Sequence, residues 1–133
     1  MKQGLILFAH GARDPRWAQP FERVAARVQD LQPDLTVSLA YLEFLAPDLV
    51  AAGQALAQAG CREVAVLPLF LGAGGHVRKD LPAKVEALQQ AHPDVRWVLR
   101  PAAGESPQLV EALAQIAVAT MAPTDEQDDQ EHA

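Results

Sequence analysis

One cysteine, Cys61, in 133 residues excludes an internal disulfide and any zinc site built on cysteine pairs. Positive charge is also short. Lys and Arg number 11 against 17 Asp and Glu, for a formal charge of −6. Nucleic-acid binding by a cationic face is therefore not expected, because phosphate neutralisation requires one. Long apolar runs are missing too. The N-terminal run Leu5–Ala9 is too short for a secretory signal core, and far short of the ~20 residues that span a bilayer. No membrane association is expected, and the location expected is the cytoplasm, where an unpaired cysteine is at home.

What is present is enough for a folded domain. Half of the chain is apolar, which supports a core and excludes global disorder. The length suits one domain. Acidity is concentrated at the end, where Asp125, Glu126, Asp128, Asp129 and Glu131 occur with no Lys or Arg. Without those five, 12 acids and 11 bases nearly balance. The expectation is one domain over residues 1–121 and an acidic, disordered tail over 122–133.

Strand and helix patterns alternate four times. Leu5–Ala9 is a continuous apolar run. Phe21, Val24, Ala25, Val28 and Leu31 then recur at helical spacing, with Pro20 in the first turn. Leu35, Val37, Leu39 and Tyr41 alternate as in a strand. Pro47 is expected to open a second helix that ends near Ala59 and stops at Gly60. Residues 63–70 form the third strand, Asp80 caps a helix ending near Ala91, and Val95–Leu99 is the fourth strand. Ser106 and Pro107 begin the last helix, which carries Leu109, Val110, Leu113 and Ile116. Single helices between strands imply parallel pairing in a three-layer α/β fold. Strands 1 and 3 are apolar almost throughout, as central strands are, whereas strand 2 alternates and strand 4 carries Arg96 and Arg100. The order 2-1-3-4 follows, a flavodoxin-like arrangement of four parallel strands.

Ligands of such sheets bind beyond the carboxyl ends of the strands, at the switch point between strands 1 and 3. His10 follows strand 1, Glu43 follows strand 2, and His76 lies in the glycine-rich loop after strand 3. Imidazoles and a carboxylate suit a divalent first-row metal, and imidazole also accepts protons near neutral pH. For Glu43 a second reading stays open, a helix-entry residue favoured by the helix dipole. Gly74 and Gly75 either cradle a phosphate or form a sharply bending loop that lets a large ligand approach the backbone. The segment from Gly72 lacks the third glycine of a dinucleotide fingerprint and the Lys-Ser/Thr pair of a P-loop. Arg13, Arg16, Arg78 and Lys79 either grip substrate carboxylates or form a solvated rim. Trp17 and Phe44 stack on a flat ligand or pack in the core. His92 suits a helix C-terminus, His132 lies in the tail, and Cys61 suits a packing role.

Three segments carry a resemblance. Leu5-Ile-Leu-Phe-Ala-His10-Gly-Ala-Arg-Asp14 resembles the first motif of the small class II tetrapyrrole chelatases. Pro68-Leu-Phe-Leu-Gly-Ala-Gly-Gly-His76-Val-Arg-Lys-Asp80-Leu-Pro82 is similar to their second motif, and Tyr41-Leu-Glu43-Phe-Leu-Ala-Pro47 to the segment after strand 2. The likeness spans about residues 3–120. It implies a chelatase-like half, equivalent to one of two such domains in larger relatives, that pairs as a homodimer. It further implies a lyase inserting Co²⁺, Fe²⁺ or Ni²⁺ into sirohydrochlorin, in cobalamin- or siroheme-type biosynthesis, without an organic cofactor. His10 and His76 become the metal-binding and proton-accepting pair, and Glu43 a supporting ligand or proton acceptor. Arg13, Arg16, Arg78 and Lys79 would hold the macrocycle's carboxylates. Two other classes use similar residues. A histidine phosphatase also ends strand 1 in His-Gly, but an arginine usually precedes that histidine, and here Ala9 does. A non-catalytic metal-delivery protein would use the same His10, Glu43 and His76 without any macrocycle.

Overall fold

The seven residues Gln3–Ala9 form the first strand, β1, of the computed structural model, which describes residues 1–72 and 74–121, and of His76 only the backbone. The acidic segment 122–133 lies outside the described residues. After a 3-10 turn at Pro15–Ala18 come α1 (Gln19–Leu31), β2 (Thr36–Tyr41), α2 (Leu49–Gln58) and β3 (Glu63–Pro68). Next are α3 (Gly75–Ala91), β4 (Arg96–Leu99), a second 3-10 turn (Ala103–Glu105) and α4 (Pro107–Ala119). The sheet is parallel with the order β2-β1-β3-β4, as the strand chemistry implies.

Register explains which residues face the core. Ile6 pairs with Val66, which pairs with Leu99, and Val64 pairs with Trp97. Side chains alternate between faces along a strand, so these rungs share one face. On that face Ile6, Phe8, Val64 and Val66 are buried against Leu49, Ala52 and Leu56 of α2 and Leu81, Val85 and Leu88 of α3. Cys61 sits in this cluster as a small packing residue. The other face is covered less evenly. Around β2, Ala9, Tyr41 and Ala18 are buried, with Trp17, Phe21 and Leu39 packed on them. Farther across, Leu5, Ala65, Leu67 and Val98 stay half-buried.

β2 and β4 each begin one residue later than the sequence reading, and three further boundaries differ more. Pro47 lies before α2 rather than opening it; Asp48 is the N-cap, its carboxylate accepting from the Ala51 amide at 2.8 Å. β3 ends at Pro68, which leaves residues 69 and 70 to the loop. α3 begins at Gly75, so Asp80 and Pro82 lie inside it. An Asp two positions before a proline imitates a helix start, because proline favours the first turn. The actual N-cap is Gly74, extended at φ −71° and ψ 167°, and it has no side chain to signal its role. Pro82 removes the amide that would bond the Arg78 carbonyl.

Candidate active site

β1 and β2 continue to hydrogen-bond past their last rung. The Leu42 amide donates to the Ala9 carbonyl at 2.9 Å, and the Glu43 amide donates to the His10 carbonyl at 3.1 Å. His10 and Glu43 are therefore neighbours on one layer of backbone, each with an exposed side chain. Gly11 makes this closeness possible. Its φ is +89°, and a Cβ there would overlap the Glu43 carbonyl oxygen. Only glycine tolerates both conditions. The next residue but one from Leu42, Phe44, takes φ +69°, a costly conformation for a residue with a side chain. Its ring is 56% exposed and lies under the Arg13 guanidinium, 5.2 Å from Cζ to the centroid.

A buried aromatic supports the histidine. The His10 ring stands 4.2 Å from that of Phe70, centroid to centroid, at a 31° tilt. Phe70 in turn meets Phe8 edge-on at 5.8 Å. The Phe70 carbonyl accepts from the Gly104 amide at 2.8 Å, and a Cβ on Gly104 would overlap the Leu71 carbonyl. The loop after β3 is thus clamped by the turn after β4.

The basic residues divide into three groups. Arg13 lies over the exposed Phe44 ring and pairs with no carboxylate among the described residues. Arg16 forks onto Asp14, with Nη2 2.7 Å from Oδ2 and Nε 3.1 Å from both oxygens. Asp14 also accepts from the Arg16 amide and caps the first 3-10 turn. The Arg16 guanidinium, followed by its amide, holds the Asp14 carboxyl below the usual carboxylate range, and the same bond raises the guanidinium. Arg78 and Lys79 are exposed in the first turns of α3. Arg78 lines a cavity of about 320 Å³ whose walls include Phe70, Leu81, Arg100 and Glu105. The cavity therefore shares Phe70 with the His10 platform.

Several expectations can now be placed. His10 and Glu43 come together. The His76 backbone is the second residue of α3, beside the same rim. Among the described residues no three His, Cys, Asp or Glu side chains gather as a metal cluster. Gly74 and Gly75 have no positive φ, and a Cβ on either would meet open space, so a sharp glycine-only bend is not what they provide. They leave room beside the backbone at the start of α3. Trp17 packs on Phe21 at 4.6 Å within the core, away from a stacking role. Two residues escaped the sequence reading as site residues. Arg100 directly follows β4 and was open to the strand-end rule. Phe70 had no such signal, because an apolar residue after a strand does not disclose which distant ring it touches.

Comparison with known proteins follows the same outline. The CbiX family model matches residues 4–119. The sirohydrochlorin cobaltochelatase of Methanopyrus kandleri is 31% identical over 78 residues, 59% of this chain and 54% of that protein. The sirohydrochlorin ferrochelatase of Bacillus subtilis is 26% identical over 99 residues, 72% of this chain and 37% of that protein. The chain spans about half the length of the curated relatives it matches. The crystal structure of a CbiX protein from Marinobacter aquaeolei VT8 superimposes with a TM-score of 0.78 at 33% identity, covering 90% of this chain and 97% of that one.

Proposed function

The chain belongs to the CbiX family, and from that membership we propose that it is a metal chelatase acting on sirohydrochlorin. The reaction exchanges two pyrrole protons for one divalent metal, Co²⁺ or Fe²⁺, with Ni²⁺ a further candidate. The relatives named sirohydrochlorin cobaltochelatase and ferrochelatase support the substrate and both metals. No organic cofactor takes part. The observation that carries the proposal is the bond between the Glu43 amide and the His10 carbonyl. It makes the residues that carry a carboxylate and an imidazole backbone neighbours at the strand ends, where an incoming ligand meets the sheet.

His10, Glu43 and His76 present the metal. Three protein ligands leave coordination positions open, which transfer requires, since a closed cage would keep the metal. Imidazole then accepts the displaced pyrrole protons, for which its intrinsic range near neutrality is suited. Glu43 serves as ligand or as a second proton acceptor. The basic residues at the rim are placed to hold peripheral carboxylates. Arg13 and Arg78 have the most freedom for this, whereas Arg16 must share its fork with Asp14. Lys79 adds charge on the same turn of α3. Gly74 and Gly75 present backbone amides at the positive end of that helix, with open space beside them.

We read residues 1–121 as one catalytic domain and 122–133 as an acidic appendage outside it. Among the described residues no helix is long and apolar enough to cross a membrane. A cytoplasmic location, the absence of nucleic acid from the partners and a homodimeric state complete the proposal. Pairing has a physical motive, since one small domain covers little of a wide macrocycle.

The test is anaerobic absorbance spectroscopy of sirohydrochlorin with Co²⁺, Fe²⁺ and Ni²⁺. Wild-type protein should convert the spectrum faster than the spontaneous reaction, and His10→Ala and His76→Ala should remove the acceleration while circular dichroism stays unchanged. Metal binding without acceleration by the folded wild-type protein would point to metal delivery instead. Wild-type rates in both variants would refute the site assignment.

A further inference from the structure

The cavity of about 320 Å³ between α3 and the end of β4 combines an apolar floor with a basic mouth. Pro68, Phe70 and Leu81 line it as buried residues, whereas Arg78, Arg100 and Glu105 line it as exposed ones. Backbone bonds fix the roots of both arginines. The Arg100 amide donates to the Val66 carbonyl at 2.9 Å, which carries the β3–β4 pairing one residue past β4. The Arg78 amide donates to the Gly74 carbonyl at 3.1 Å, in the first turn of α3. Neither guanidinium has a carboxylate within 4.0 Å among the described residues. The amino ends of the same two strands differ. There Arg96 meets Glu63 at 3.5 Å and Arg62 meets Asp94 at 3.8 Å. Glu105 lines the cavity too, but its Oε2 accepts from the Ala102 amide at 3.2 Å. Two guanidinium groups against one carboxylate make this recess basic, in a chain whose formal charge is −6.

We infer that this cavity seats one carboxylate-bearing arm of the macrocycle, with Arg100 and Arg78 on the carboxylate and the aliphatic stem against Phe70 and Leu81. The inference rests on the chelatase reading above and adds Arg100 to its substrate-binding residues. Size favours an arm. Small-molecule pockets run from about 300 to 1,000 Å³, so this one stands at the low end and leaves the tetrapyrrole ring outside. Chemistry favours a carboxylate on a short stem. A guanidinium fork matches a carboxylate with two parallel bonds. The apolar floor favours hydrocarbon beneath that charge, which an inorganic anion does not offer. Phe70 gives the recess its bearing on the reaction. The same ring lines the cavity and supports His10, centroid to centroid at 4.2 Å. An arm seated there brings the edge of its own macrocycle next to His10. The choice of arm then fixes which way round the macrocycle meets the metal.

Equilibrium titration of metal-free sirohydrochlorin into the full chain, followed by absorbance under nitrogen, tests this without turnover. Arg100→Leu should weaken binding about 10-fold and Arg78→Leu/Arg100→Leu about 100-fold. Ala102→Leu, which adds bulk to the cavity wall and keeps both charges, should weaken it as well. Arg96→Leu removes the same charge at the paired end of β4 and should leave the affinity within about twofold. Cobalt affinity without macrocycle should be the same in every variant, and circular dichroism should show each one folded. Free propionate carries the same stem and charge, and in excess it should compete with the macrocycle for the wild-type protein. Propionate that shifts the Leu81 methyl resonances without competing would assign the cavity to a free acid and overturn the proposal. Equal losses in Arg96→Leu and Arg100→Leu would reduce the effect to overall charge and overturn it too. Wild-type affinity in both the double variant and Ala102→Leu would overturn the cavity alone. A wild-type protein that binds no macrocycle would overturn the chelatase reading with it.

Discussion

The His10 imidazole rests on the ring of Phe70, with centroids 4.2 Å apart. Phe70 is only 2% exposed, so the histidine stands on a fixed surface. Phe70→Ala would leave a void between Phe8 and His10. The expected loss of stability is about 3–5 kcal/mol, read by urea denaturation. Cobalt affinity at neutral pH should fall with it, since His10 loses its support. Phe70→Leu should cost about 1 kcal/mol and preserve most of the affinity. Undiminished affinity in a folded Phe70→Ala protein would show that the stack does not orient His10.

Gly11 and Gly75 make a matched pair for testing backbone constraint. Gly11→Ala places a Cβ on the Glu43 carbonyl at a positive φ. A cost of about 2 kcal/mol or more is expected, along with slower metal insertion as Glu43 moves. Gly75→Ala meets open space at ordinary φ. Its effect on stability should stay within about 0.5 kcal/mol. Equal melting temperatures for the two variants would contradict the close approach described for Gly11.

Asp14 offers a test by titration. Its carboxyl is held low by the Arg16 guanidinium and amide. A carboxyl whose folded value is depressed stabilises the protein above the ordinary carboxylate range. That contribution is lost as pH falls through the lowered value. Carboxyl NMR should place the Asp14 transition below that of an ordinary aspartate. Arg16→Gln should move it upward, and added salt should narrow the difference, because both side chains are exposed. A transition that Arg16→Gln leaves in place would assign the shift to another cause.

Arg13 should matter for substrate rather than for metal. It lies over an exposed ring at the rim, and no carboxylate pairs with it among the described residues. Arg13→Leu is expected to raise KM for sirohydrochlorin about 10-fold, the equivalent of one charged hydrogen bond. Metal affinity measured without the macrocycle should not change. A loss of metal affinity instead would place Arg13 in the orientation of Glu43.

Much of this architecture is legible before any coordinates. Apolar strands 1 and 3 against the alternating strand 2 are enough to order the sheet, because burial on both faces removes the period of two. His10 and Glu43 are legible for the same reason, as each follows a strand whose position is known. The start of α3 is not, since Gly74 caps a helix without a side chain and Pro82 imitates a first turn. The Phe70 platform is hidden by distance along the chain. The glycines after β3 look like a bend by composition, yet their contribution is space. Exposure of α4 is also unreadable, because Leu109, Leu113 and Ile116 have the same spacing whether their cover is the chain's own sheet or another surface.

The rung Ala9–Tyr41 passes without interruption into the bonds that join Leu42 to Ala9 and Glu43 to His10. Register and site are thus one variable. A slip of one residue along β2 would move the Glu43 amide by about 3.3 Å. It would also turn Leu39 and Tyr41 from the core toward the opposite face, because strand side chains alternate. Every apolar contact of β2 therefore votes against a misaligned site. Glu43 stands beside His10 only in chains whose sheet has paired correctly, so assembly of the core proofreads the active site.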